Sequence, residues 1–278
     1  MKIGGRDMNF NRGKEVLTLF LIIIAGISIF QCKAFENIGV GVRAIGMGEA
    51  FTAIADDTSA PYWNPAGLSF VDKLRITAAQ SDLYNLGLMH NFIGITISPL
   101  KLGIHYEDFT DIKDELGFNE STIRLSKSFL PMPNVSIGLT ANRFQQYFEG
   151  GSGDGYGLDV GLIIDSFKLP EIKIGVNVKN LLSSIRYNTG TIESLSPKLE
   201  FGASYVGVRQ TIGVDINKEK VSLGIEQQLS KQVCVRFGYT EENFSLGLGV
   251  NINKWQLDYA LTKKDLGIKN IISLTKTF

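Results

Sequence analysis

From Leu74 to the last residue, apolar and polar side chains alternate with a period of two, and no other feature restricts the fold of this chain as strongly. Phe244, Leu246, Leu248, Val250 and Ile252 are interleaved with Ser245, Gly247, Gly249 and Asn251, then Trp255, Leu257, Tyr259 and Leu261 with Gln256, Asp258, Ala260 and Thr262. The same rhythm sets Val221, Leu223 and Ile225 against Ser222, Gly224 and Glu226, and Ile172, Ile174, Val176 and Val178 against Lys173, Gly175, Asn177 and Lys179. Successive side chains of a strand point to opposite faces, so each segment reads as a strand with one apolar and one polar face. Fourteen such segments begin near residues 74, 89, 101, 120, 134, 155, 171, 197, 209, 219, 231, 243, 254 and 268, and no amphipathic helical pattern interrupts them.

An even number of consecutive strands of about ten residues, joined by tight turns, predicts an all-β fold: a transmembrane antiparallel up-and-down β-barrel of about 14 strands. The polar face carries Arg75, Glu107, Arg124, Asp159, Asp165, Lys173, Glu200, Asp215, Glu226, Arg236 and Asp258 together with many glycines, a set suited to a lumen. In a soluble barrel the large apolar side chains would fill the interior instead. In hydrocarbon each unpaired backbone group costs several kcal/mol, so the sheet cannot keep an open edge and the last strand is expected to pair with the first. Long connections (Ser81 to Leu88, Asp108 to Asn119, Leu181 to Ser196) alternate with short ones holding Pro99, Pro131 with Pro133, and Pro170. With both termini in the periplasm the long set lies outside the cell.

Residues 1–34 read as a signal peptide: Lys2, Arg6, Arg12 and Lys14 precede an apolar run from Val16 to Phe30, followed by Cys32, Lys33 and Ala34. A helix over that run would rise about 22 Å, short of the roughly 30 Å core of a bilayer. Beyond it the sequence holds one cysteine, Cys234, so an internal disulfide is excluded and stability rests on packing and a closed hydrogen-bond network. Charge is balanced at 28 basic and 28 acidic residues, and the absence of a basic block excludes a nucleic-acid partner.

Residues 35–73 do not alternate. They are rich in Gly and Ala and are expected to form a plug in the lumen, with 74–278 as the barrel. Small side chains at Ala44, Gly46, Gly48, Ala50, Ala53 and Ala55 let backbone approach the wall, and Asn64-Pro65 reads as a helix start with Asn64 as cap. Arg43 and the Asp56/Asp57 pair are expected to face wall charges and hold the plug by charge-assisted bonds.

The run from Gly41 to Phe51 (GVRAIGMGEAF), then Ala53 to Asp57 (AIADD), Ala60 and Trp63 to Leu68 (WNPAGL), resembles the N-terminal signature of the PorV/PorQ-like outer-membrane proteins, which are similar to the FadL family of fatty-acid channels. The residues that carry the resemblance include Arg43, Gly46, Met47, Gly48, Asp56, Asp57, Trp63, Asn64, Pro65 and Gly67; over the strands it rests on architecture alone. It implies a hatch lodged in a fourteen-stranded barrel of the outer membrane of a diderm bacterium. Three functions stay open. One is passage of hydrophobic small molecules; a second is a PorV-like role in type IX secretion, receiving exported proteins or secretion-machinery components; the third is a structural barrel whose partner is outer-membrane lipid alone.

Other chemistry finds little support. Gly39 to Ala44 (GVGVRA) mimics a dinucleotide fingerprint without the βαβ unit that gives it meaning. His90 and His105 are the sole histidines and lack ligand-like spacing, so no metal site is assigned. Asp159, Asp165, Glu200 and Glu226 read as partners of Arg124, Lys173 and Arg236 rather than as catalytic carboxylates; no cofactor and no enzymatic activity is expected.

Overall fold

The computed structural model describes residues 38–84, 86–111, 117–166, 168–241, 243–264 and 267–278. The expected signal peptide, 1–34, lies outside the described residues, as do the first three positions of the expected plug.

Each alternating segment forms a strand: β1 (Arg75–Leu83), β2 (Leu88–Ile97), β3 (Leu102–Asp111), β4 (Asn119–Met132), β5 (Val135–Phe148), β6 (Gly151–Asp165) and β7 (Ile172–Lys179). A short hairpin follows, β8 (Ser184–Tyr187) and β9 (Ile192–Ser194). The wall continues with β10 (Lys198–Val206), β11 (Gln210–Asn217), β12 (Val221–Gln228), β13 (Val233–Thr240), β14 (Phe244–Ile252), β15 (Trp255–Lys264) and β16 (Gly267–Thr277). Neighbours in the chain pair antiparallel around the wall, and β16 pairs with β1 from Arg75↔Thr277 to Leu83↔Lys269. The result is a closed barrel of fourteen strands, β1–β7 and β10–β16.

The hairpin β8–β9 was not legible as strand in the mostly polar stretch 181–196. It extends the wall: β7 pairs with β6 only over Val160–Asp165, and β8 takes over the ladder of β6 at Gly153–Tyr156.

The two faces sort as the alternation requires. On β14, Phe244, Leu246, Leu248 and Ile252 face outward and Ser245 is buried; on β15, Trp255, Leu257 and Tyr259 face outward, with Asp258 and Ala260 inside. On β16 the outward set is Ile268, Ile272, Leu274 and Phe278. An apolar outer belt over a polar inner face is the partition a lipid-embedded barrel needs.

The core lies inside the lumen, and residues 38–73 supply most of it. Val40, Ala44, Met47, Phe51, Ala55 and Ala60 are fully buried, packed with Trp63 and Leu68 from the same segment and with Phe92, Ala260 and Ile271 from the wall. Full burial of an aromatic or long aliphatic side chain is worth about 1.5–3 kcal/mol.

Candidate functional site

The plug is a chain of short turns. Helix α1 (Val42–Gly46) ends in a tight reversal through Gly48, whose φ of 63° a side chain would strain and whose Cβ would lie 2.9 Å from the Leu223 carbonyl oxygen. Helix α2 (Ala60–Trp63) leads through Asn64 into a 310 helix (Pro65–Phe70), which the Asn64 side chain caps by accepting from the Ala66 N–H at 3.1 Å. Asn64 is fully buried, and its Nδ2 donates to the Thr52 carbonyl at 2.8 Å and the Leu162 carbonyl at 3.2 Å, tying plug to plug and plug to β6. Trp63 Nε1 donates to the Val40 carbonyl at 2.8 Å, and its ring meets Tyr62 edge-on at 4.9 Å. Gly67 lies against Ala55, where a Cβ would come within 2.8 Å of the alanine Cβ.

The wall is recessed where the plug touches it. Ten strands each set a glycine against the plug: Gly94, Gly103, Gly138, Gly161, Gly175, Gly202, Gly213, Gly224, Gly238 and Gly247. A Cβ at any of them would come within 3.2 Å of a plug atom; Gly247 meets Gly46, Gly224 meets Met47, and Gly138 meets Pro65 and Ala66. Backbone thus lies directly on backbone, an approach that only glycine permits.

Charged side chains fix the remaining gaps. Arg43 donates from Nε and Nη2 to Glu226 at 2.9 Å and from Nη1 to Asp56, with Asp57 Oδ2 3.9 Å from Nη1. Asp56 and Asp57 therefore face Arg43 of their own segment, and Glu226 on β12 is the wall charge. Burial pushes the Asp57 carboxyl up, against the opposing pull of Arg43 and of its bonds from Ser59. Glu226 also accepts from Arg236 Nε at 2.6 Å, and Arg236 Nη1 reaches Asp258 at 2.7 Å, so acids and guanidinium groups alternate from the plug to β15. Asp215 accepts from the N–H groups of Phe51 and Thr52 at 2.8 and 2.7 Å. Lys173 lies 3.4 Å from Asp165 and 3.3 Å from the centre of the Phe70 ring. Lys179 lies 3.2 Å from Glu200, Asp159 accepts from Asn142 at 2.8 Å and from the Asn180 N–H at 2.7 Å, and Arg75 pairs with Asp72 at 3.0 Å.

Two cavities flank the plug. At the end that carries the termini, one of about 270 Å³ is lined by charged and hydroxyl side chains, among them Arg43, Arg75, Asp57, Glu226, Arg236 and Asp258. At the other end, one of about 350 Å³ has Tyr62 at its floor and Leu83, Leu88, Phe109, Phe118, Phe144 and Leu195 around it, with polar side chains between them. On its lining, Glu107 joins Arg124 (2.6 Å) and His90 (3.4 Å), and also His105 (3.5 Å). The period-two pattern shows these residues on the inner face; only the register of β2, β3 and β4 brings them together.

No protein-family model and no curated protein matches the chain. Its fold is shared with solved channels and transporters of low identity. The CymD monoaromatic hydrocarbon channel superposes with a TM-score of 0.62 at 13% identity, over 88% of this chain and 99% of that one. The toluene transporter TbuX of Ralstonia pickettii gives 0.60 at 12%, over 88% and 100%. A FadL homologue of Pseudomonas aeruginosa gives 0.55 at 12%, over 86% and 98%. These likenesses show the fold alone: a closed barrel like that of the hydrocarbon channels and the FadL homologue.

Proposed function

We propose that the protein is an outer-membrane channel for small hydrophobic molecules. The observation that carries this reading is the cavity at the loop end: six large apolar side chains open above a buried plug, inside a closed barrel with an apolar outer belt. An apolar solute gains about 25 cal/mol per Å² on leaving water for such a lining. Polar groups at the cavity floor and the charged cavity beyond the plug then offer the solute progressively less, which favours release on the side of the termini, the periplasm. The hydrocarbon and toluene channels that share the fold support the same reading.

Uptake of radiolabelled toluene by diderm cells that express the protein tests it. Expression is expected to raise the uptake rate, and Phe109→Asp, which places a charge on the apolar lining, is expected to abolish the gain. Equal uptake with and without the protein would overturn the reading.

The N-terminal motif at residues 41–68 supports a second reading, a PorV-like barrel that receives exported proteins. Stable co-purification of a secreted protein without any toluene uptake would favour it.

A further inference from the structure

In the loop-end cavity two acceptors, the Glu120 carboxylate and Asn142 Oδ1, have no partner among the described residues. Arg124 donates to Glu107 at 2.6 Å, Lys179 is paired with Glu200, and Lys269 donates to the Ile38 carbonyl at 2.6 Å. Glu120 lines the same cavity and has no hydrogen-bond or ion-pair partner among the described residues; Arg124, whose charge it feels, is committed to Glu107. Asn142, 4% exposed, gives Nδ2 to Asp159, and because the carboxylate only accepts, that bond fixes the amide with Oδ1 facing no donor. His90, also 4% exposed, turns Nε2 toward Glu107 at 3.4 Å, and its Nδ1 has no partner. Buried acceptors left unpaired carry their full desolvation cost, which a ligand bringing donors removes. His90, Phe109 and Glu120 also stand in one row across β2, β3 and β4, with Phe109 directly opposite Glu120 and 5.9 Å from the Phe118 ring. A carboxylate beside aromatic faces is a setting that attracts an organic cation.

We propose that this cavity selects apolar molecules that carry a protonated amine, with the ammonium held by Glu120 beside Phe109. Deeper in the cavity, Asn142 Oδ1 adds an acceptor for a second donor on the same molecule. This rests on the channel reading above and names the class of molecule that enters.

The test is isothermal titration of the purified full-length barrel in non-ionic detergent with octylamine, octanoate and toluene at pH 9. Octylammonium is expected to bind at least about tenfold more tightly than octanoate, the scale of one charge-assisted hydrogen bond. Glu120→Gln is expected to erase the preference and Glu120→Lys to reverse it, heat-modifiable gel migration verifying that each variant is a folded barrel. Octanoate binding as tightly as octylammonium, or an undiminished preference in folded Glu120→Gln, overturns the inference. If toluene binds while the amine has no advantage, this inference alone falls; if neither toluene nor octylamine binds, the channel reading falls with it.

Discussion

Arg43 and Glu226 lie 183 positions apart in the chain, and the guanidinium of the first spans both carboxylate oxygens of the second, Nε to Oε2 and Nη2 to Oε1 at 2.9 Å each. This fork joins the plug to β12. Because Glu226 also receives Arg236, and Arg43 also serves Asp56, the pair sits in the middle of a partly dehydrated chain of alternating charge. Removing Arg43 leaves Glu226 with one cation and Asp56 and Asp57 with none among the described ion pairs.

Arg43→Ala is therefore expected to loosen the plug by about 1.5–3 kcal/mol, the range for hydrogen bonds to charged groups. The checking measurement is limited proteolysis of the detergent-solubilised barrel with chymotrypsin, whose sites at Phe51, Tyr62 and Trp63 are buried in the plug. Cleavage there should be faster in the variant while the strands stay intact. Arg43→Lys should fall between the two, because an ammonium cannot make the planar fork. Unchanged protease resistance and conductance in Arg43→Ala would remove the charge chain as an anchor.

Gly224→Ala is a second probe of how the plug is seated. The new methyl would lie 2.8 Å from Met47 Cβ and against the backbone of the same residue, which cannot yield without shifting α1 and its following turn. Overpacking of this kind costs about 1–3 kcal/mol. The folded barrel is expected to form, since the ladder of β12 is untouched, but its thermal transition should fall and the plug should become protease-sensitive. An unaltered transition would mean that the plug tolerates displacement at this point.

These two sites show what the sequence could and could not convey. The wall was legible because strand geometry converts a period of two directly into an inner and an outer face, and closure followed from the cost of an open edge in lipid. The glycines at 224 and 247 were visible on the polar face, yet their role depends on which plug residue lies over each, and that is fixed by long-range packing. The same limit applies to charge. Asp56 and Asp57 are next to one another in the chain and Arg43 is 13 positions before Asp56, but no local pattern says that the guanidinium turns to them and to Glu226 together. The β8–β9 hairpin escaped notice because Ser184–Tyr187 and Ile192–Ser194 are too short for alternation to register.

Asn64→Ala should be among the most damaging single changes in the plug. It removes the acceptor that caps the 310 helix and leaves the Ala66 N–H and Thr52 carbonyl without those partners in a fully buried site. Loss of a cap costs about 0.5–2 kcal/mol, and a buried unsatisfied group about 1–3 kcal/mol. Urea unfolding in detergent is expected to shift to lower concentration, whereas Asn64→Ser, which supplies a neutral capping oxygen but loses the Nδ2 donor, should recover part of the difference. Equal midpoints for the Ala and Ser variants would deny the cap any share.

The two tryptophans offer a direct reading of inside and outside. Trp63 is buried in the plug, 4% exposed, while Trp255 stands on the outer face of β15, 46% exposed, with the Lys276 ammonium 5.1 Å from its ring centre. An aromatic at that position near the end of a strand fits the interfacial girdle of a lipid-embedded barrel. Reconstituted in bilayers of brominated phospholipid, Trp63→Phe, which keeps Trp255, should lose most of its indole fluorescence; Trp255→Phe, which keeps Trp63, should retain most of its signal because the wall excludes lipid from the lumen. The opposite pattern, with Trp63 quenched and Trp255 spared, would place the plug against the bilayer and turn the barrel's faces inside out. Quenching of both to the same extent would put Trp63 in reach of lipid, and with it the opening through which an apolar solute could leave the lumen sideways.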